Sequence, residues 1–275
     1  MFLRVLLACC LFLSCLIAAH ASAEGLGSDT RLVLTGSSTV APVALEIAKR
    51  FEKLHPGTRI DVQTGGSSRG VADARSGAAD IGMASRALKA NESDLITHSI
   101  ARDGVGIIVN SANAIDTLSE EQIKNIFTGQ IKNWQQVDGA DKRITVVNKA
   151  EGHSTLELFL AYFNLKNSAI KAHVVIGDNQ QGIKTVTGNP YAIGYVSIGA
   201  AEFEITNGAP LKLLPMASIP ASVDNIRNGT FPLARPLNFV TRSQPTGLAK
   251  QFIEFAQSNA VNDIIEAQFF VPLAD

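Results

Sequence analysis

Three short segments place hydroxyl side chains where they can donate hydrogen bonds to an anion. They are Ser37-Ser38-Thr39, Ser67-Ser68 and Ser154-Thr155. Glycine accompanies each of them, as Gly36, Gly65-Gly66 and Gly152, and each precedes a stretch with helical periodicity. The start of a helix presents N–H groups without intrahelical partners and a partial positive charge, so it binds anions without further apparatus. Glycine lets the backbone approach closely, and hydroxyls add donors. Three such loops converging would surround a small tetrahedral oxyanion with neutral donors. Any one of them would serve equally well as an ordinary N-cap. The recurrence is what points to binding.

The catalytic patterns do not complete themselves. Gly152-His-Ser154 begins like a nucleophile elbow, but Leu156 stands where that turn needs glycine. Neither glycine loop ends in the Gly-Lys-Ser/Thr of a phosphate-binding P-loop. The histidines His55, His98, His153 and His173 are scattered, with no close ligand pair. His98 reads as part of a polar helical stretch, His55 as a helix end and His173 as the start of a strand. Only His153 lies in a candidate site loop. Trp134 reads as a core anchor. The expectation is a protein that is not an enzyme and needs no metal or cofactor.

The elements that must position these loops alternate. Arg31–Thr35 reads as a strand, and Ala41–Leu54 as a helix with Val43, Ile47, Phe51 and Leu54 on one face and Pro42 in its first turn. Arg59–Thr64 reads as a strand and is followed, after the second glycine loop, by a short helix ending near Gly77. Asp80–Met83 and Gly104–Asn110 read as strands. Leu118–Phe127 reads as a helix begun by Ser119. Arg143–Val147, His173–Ile176, Ala192–Val196 and Leu237–Thr241 read as strands, and Thr185–Pro190 as a turn-rich break. Leu156–Phe163, Leu248–Gln257 and Val261–Gln268 read as helices. Strands alternating with helices give an α/β fold with mainly parallel sheets.

The chain is 275 residues long, with 24 Lys+Arg, 25 Asp+Glu and a formal net charge of −1. That balance does not suit a nucleic-acid binder, which carries a basic excess. At its start, Arg4 precedes a charge-free, mostly apolar stretch from Val5 to Ala19, and then Ala21-Ser-Ala23. This reads as a secretory signal peptide over residues 1–23, cleaved after Ala23. The stretch is shorter than the about 20 residues a spanning helix needs. The three cysteines, Cys9, Cys10 and Cys15, all lie within it. The remaining chain therefore has neither disulfides nor thiolate ligands.

At the hydroxyl loops the sequence resembles the periplasmic phosphate-binding proteins of ABC transporters, the PstS-like family. The matching motifs are Leu34-Thr-Gly-Ser-Ser-Thr-Val-Ala-Pro42, Gly65-Gly-Ser-Ser-Arg-Gly70, Asp80-Ile-Gly-Met-Ala-Ser-Arg86, Ile126-Phe-Thr-Gly-Gln-Ile-Lys-Asn-Trp134, Ala192-Ile-Gly-Tyr-Val196 and Asn228-Gly-Thr-Phe-Pro-Leu-Ala-Arg-Pro236. The resemblance implies a two-lobed periplasmic-binding-protein fold of type II, with ligand in the cleft and two crossing hinge strands. Those crossings fall at Gly104–Asn110 and Leu237–Thr241, giving one lobe from 24–107 plus 237–275 and a second from 108–236.

Carried over by motif, the ligand-binding residues are Ser38, Thr39, the Val40 backbone N–H, Ser67, Ser154 and Thr155. Three departures add cations. Arg86 stands where some family members carry an aspartate that accepts the phosphate proton. Lys149 stands where an arginine is usual, and His153 where serine is usual. The implied function is capture of inorganic phosphate in the periplasm by a monomer that passes it to the membrane subunits of an ABC permease. The alternatives are a receptor for another oxyanion, such as sulfate or molybdate, or an exported phosphate-ester hydrolase. The added cations predict less discrimination against sulfate, with His153 gaining charge as pH falls.

Overall fold

The computed structural model describes residues 30–273. The expected signal peptide lies outside the described residues. β1 (Arg31–Gly36), α1 (Val40–Leu54), β2 (Arg59–Thr64), α2 (Ser67–Ser76) and β3 (Ile81–Ala84) alternate strand and helix. A single 3-10 turn at Ala90–Glu92 leads into β4 (Ile96–Asn110). Then come α3 (Glu120–Phe127), β5 (Thr145–Lys149), α4 (Ser154–Tyr162), β6 (Val174–Ile176), α5 (Asn179–Thr187), β7 (Ala192–Ser197), α6 (Ile198–Thr206), β8 (Leu211–Leu214) and α7 (Val223–Arg227). β9 (Ala234–Thr241), α8 (Gly247–Ala256), α9 (Asn262–Ala267) and β10 (Val271–Pro272) complete the order.

The strands run in the spatial order β2-β1-β3-β9-β4-β7-β5-β6, with β8 and β10 also bonded to β4. Pairing within β1-β2, β1-β3, β5-β6 and β5-β7 is parallel. Every pairing made by β4 or β9 is antiparallel. The sheet is therefore mixed, not mainly parallel. The βαβ units at the two ends demand parallel neighbours, whereas β4 and β9 pass between them in opposite directions.

β4 is one 15-residue strand with two sets of partners. Residues 96–104 pair with β9, and residues 105–110 pair with β7 and β8. Two lobes form on either side of this change. The first lobe buries Leu34, Val43, Ile47, Phe51, Met83, Phe239 and Phe252 in one core. The second buries Ile107, Ile126, Phe127, Trp134, Phe159 and Tyr195 in another. Phe159 stacks on Tyr195 with ring centroids 4.1 Å apart, which fixes α4 against β7. Trp134 is the anchor its position suggested: it is fully buried and donates from Nε1 to the Tyr191 carbonyl at 3.0 Å.

The helix expected around His98 is instead the first half of β4. His98 Nε2 lies 2.9 Å from Thr241 Oγ1 on β9, and burial pushes its pKa down. The polar side chains that suggested a helix lie along a strand only partly covered at that end. The turn-rich break expected at Thr185–Pro190 begins later, because α5 runs through Thr187. Asp178 caps α5 by accepting from the Gln181 N–H at 2.8 Å. Helices α6 and α7 and strand β8 also lack a clear sequence signal, being only nine, five and four residues long.

Candidate functional site

The helices at the hydroxyl loops begin earlier than the periodicity indicates, by one residue at α1, two at α4 and about four at α2, which starts inside the Gly65–Gly70 segment. Ser67 is the first residue of α2, Ser154 and Thr155 are the first two of α4, and Thr39 is the residue before α1. The hydroxyls thus belong to first helical turns, where free N–H groups gather. Gly36 turns the chain into α1 at φ +133°. A Cβ there would lie 2.3 Å from the Met83 carbonyl oxygen and 2.8 Å from Gly70 Cα, so only glycine lets the end of β1 pass this close to β3 and α2.

These ends meet at a buried guanidinium. Arg235, on β9, is 3% exposed and is held by Asp103 on β4, with Nε at 3.1 Å and one terminal nitrogen at 2.8 Å from Oδ2. Asp103 Oδ1 accepts from the Gly199 N–H at 3.2 Å. The outer nitrogens of Arg235 then donate to Thr39 Oγ1 at 3.2 Å, Thr155 Oγ1 at 3.0 Å and Ser85 Oγ at 3.3 Å. Lys149, at the end of β5, is also buried and donates from Nζ to Asn179 Oδ1 at 3.1 Å. Asn179, the first residue of α5, donates in turn to Thr39 Oγ1 at 3.1 Å.

A hydroxyl has one hydrogen to donate and two lone pairs. Thr39 Oγ1 accepts from both Arg235 and Asn179. Ser85 Oγ accepts from Arg235 and from Ser37 Oγ, which is itself an acceptor for the Thr39 and Val40 N–H groups. Thr155 Oγ1 accepts from Arg235. Ser67 Oγ accepts from the Ser85 N–H and forms a very short contact with Ser154 Oγ. Thr39, Ser85, Thr155 and one member of the Ser67–Ser154 pair therefore each keep a hydrogen free to donate. Acceptors are scarce by comparison. Two cationic side chains lie here, Arg235 and Lys149, and the one fully buried carboxylate, Asp103, is taken up by Arg235. The complement of such a site is small, anionic and rich in acceptors.

The charge balance shows in the ionisation of Lys149. Burial, reinforced by the Arg235 charge, pushes its pKa down to about 7, with Asp178 pulling the other way. His153, the N-cap position of α4, has its pKa lowered by burial and by the charge of Lys149. A lowered pKa keeps the ring neutral to a more acid pH.

Of the residues singled out in the sequence, Thr39, Ser67, Lys149, Ser154 and Thr155 come together here. Ser38 lies on the wall of an adjoining cavity of about 490 Å³ that also includes Thr39 and Asn179. The Val40 N–H is turned to Ser37 Oγ at 3.3 Å. His153 lies beside Gly66, where an added Cβ would come within 2.5 Å of its Nδ1.

Arg86 is placed differently from the expectation. Its terminal nitrogens grip both oxygens of Glu92 at 2.7 and 2.9 Å, and its Nε lies 2.9 Å from Glu157 Oε2. No hydrogen bond joins it to the hydroxyl cluster. Its bulk and charge are taken up by the 3-10 turn at Ala90–Glu92 and by α4. Glu151, the other carboxylate in the α4 loop, is exposed and accepts from Asn167 at 2.9 Å.

Arg235, Asp103, Asn179 and Ser85 are the residues the sequence reading passed over. Arg235 and Ser85 were inside quoted motifs without a role. Asp178, a good N-cap just before Asn179, was the available sign of α5. Among the described residues there is no cluster of three metal-ligating side chains, and no helix is long and apolar enough to cross a membrane.

Residues 18–260 match the family described as PBP superfamily domain. The phosphate-binding protein PstS of Bacillus subtilis (strain 168) is 29% identical over 250 residues, covering 89% of this chain and 81% of that protein. A Clostridium perfringens substrate-binding protein assigned to a phosphate ABC transporter and solved with bound phosphate is 29% identical, with a TM-score of 0.82. That match covers 89% of this chain and 100% of that one. An ABC-type phosphate transport receptor from Vibrio cholerae is 30% identical at a TM-score of 0.72, over 88% of this chain and 100% of that one. In sequence, two-lobed α/β architecture and the arrangement of its helix ends, this chain belongs to the PBP superfamily and, within it, to the PstS-like substrate-binding proteins.

Proposed function

We propose that the chain is a non-enzymatic receptor that captures inorganic phosphate between its lobes and delivers it to the membrane subunits of an ABC permease. The carrying observation is the imbalance in the buried cluster: free O–H donors gather around Arg235 and Lys149, and the one fully buried carboxylate there, Asp103, is already bonded to Arg235. The phosphate named for the relatives supports that ligand. In this reading residues 1–23 are an export signal cleaved after Ala23, and the receptor works in the periplasm as a soluble monomer. We place the lobe boundaries where the pairing of β4 changes, so that residues to Gly104 and from Ala234 form one lobe and 105–233 the other. An esterase reading lacks an activated nucleophile: among the described residues, no hydroxyl of the cluster is bonded to a histidine.

Calorimetry of phosphate-stripped protein against phosphate, sulfate and molybdate tests this reading. The expected result is one phosphate per chain, bound more tightly than sulfate. The phosphate named for the relatives is the ground for that order. Equal or tighter sulfate binding would assign the site to sulfate, and no binding of any oxyanion would remove the receptor reading. In the same assay Thr39→Ala, Ser67→Ala and Thr155→Ala should each weaken phosphate about ten- to hundredfold. A hydrogen bond to a charged group contributes about 1.5–3 kcal/mol and a decade is about 1.4 kcal/mol. Unchanged affinity in Thr39→Ala and Thr155→Ala would leave these hydroxyls as helix caps only.

A further inference from the structure

Glu157 sits one turn into α4, just beyond Thr155, and its carboxylate leaves its own lobe. Oε1 accepts from Lys89 Nζ at 2.9 Å and from Ser68 Oγ at 3.2 Å. Oε2 lies 2.9 Å from Arg86 Nε. All three partners belong to the first lobe. Arg86 is held rigid there by Glu92, whose Oε2 also accepts from the Lys89 backbone N–H at 2.8 Å. In the first lobe alone, Arg86 and Lys89 face the single carboxylate Glu92. The charges balance only when Glu157 arrives from the second lobe. A backbone bond from the Ser68 N–H to the Gly152 carbonyl at 3.0 Å lies beside this contact. None of these groups is hydrogen-bonded to Arg235 or Lys149.

We infer that Glu157 is a latch: its ion pairs with Arg86 and Lys89 hold the two lobes together whether or not an anion is bound, and so set how readily the receptor releases its ligand. Ser154 and Thr155 grip the ligand from the same helical turn that carries Glu157. Closure therefore brings the ligand hydroxyls and the latch into place in one movement. Arg86 is partly a structural strut and partly the keeper of this latch, a role that a ligand-binding arginine would not have. The inference rests on the two-lobed receptor reading.

The test compares the parent, Glu157→Gln and Lys89→Gln as full exported chains. Glutamine keeps the shape and the acceptor oxygen of Glu157 and removes its charge. Small-angle scattering of ligand-free protein should show Glu157→Gln more open than the parent and Lys89→Gln between them. Added salt should open the parent towards Glu157→Gln and leave the variant unchanged, because salt screens partly exposed pairs. Phosphate release followed by stopped flow should be about tenfold faster in Glu157→Gln, between the small effect of an exposed pair and the large effect of a buried one. Capture should be no slower. Ligand-free parent and Glu157→Gln of equal compactness would overturn the latch, whatever the release rate. A parent that takes up no phosphate would overturn the receptor reading instead, and the ligand-free comparison would still decide the latch.

Discussion

Arg235→Lys should lose at least a hundredfold in phosphate affinity while the protein stays folded. The ammonium of lysine can stay paired with Asp103, but it cannot also reach Thr39, Thr155 and Ser85, which the planar fork of Arg235 joins at 3.0–3.3 Å. Loss of the anion contacts expected from the two terminal nitrogens of Arg235, at about 1.5–3 kcal/mol each, gives a loss of about two to four decades. Arg235→Ala should behave differently. It leaves Asp103 buried and unpaired, and breaking a buried pair in this way costs about 3–5 kcal/mol. Adding Asp103→Asn should restore much of the melting temperature and none of the binding. Calorimetry and thermal unfolding of the three proteins check this. Near-parental affinity in Arg235→Lys would move the anion away from this guanidinium.

Lys149→Met should weaken phosphate by about a hundredfold or more, since a buried ammonium bound to an anion contributes more than a neutral donor. It should also change the pH response. In the ligand-free protein Lys149 titrates at about 7, and a bound anion raises that pKa. Above pH 7, binding must therefore draw a proton from solution, and below it none is needed. Sulfate does not titrate in this range, so its affinity should fall about tenfold per pH unit above pH 7, which is one proton per anion. Binding heats at pH 8 should vary with the ionisation enthalpy of the buffer.

Lys149→Met should abolish both effects. The sign for folding follows from the same shift. The folded pKa lies below the unfolded value near 10.4, so the unfolded chain holds more protons between about pH 7 and 10. Over that window Lys149 makes the ligand-free protein more stable as pH rises. Lys149→Met should lack that rise. A sulfate affinity that is flat from pH 6 to 9 in the parent would mean that Lys149 stays charged throughout.

How much of this was legible in the sequence varies by scale. The early βαβ units were readable because α1 carries Val43, Ile47 and Phe51 on one face and β2 is bounded by Gly57 and Gly65. The hydroxyls were readable because Gly-Ser and Gly-His-Ser segments precede helices. Arg86 was misplaced because its partners come from far along the chain: Glu157 is 71 residues away and is brought there by α4. Arg235 and Asp103 are 132 residues apart and meet only because β4 and β9 are neighbours. Local patterns report faces and caps, and no local pattern reports which charge a buried cation will meet.

The continuity of β4 has a consequence for modularity. One 15-residue strand, with an irregularity in its pairing between Ser99 and Ala101, supplies edges to both halves of the sheet, and Val105 N–H still bonds to the Leu233 carbonyl where the partners change. A chain break where its partners change, at Gly104–Val105, would cut the strand that both lobes share. The lobes look like two bodies but cannot be separated into two heritable pieces. Duplication, fusion or domain shuffling can act on this receptor only as a whole, and insertions are confined to the loops at its periphery.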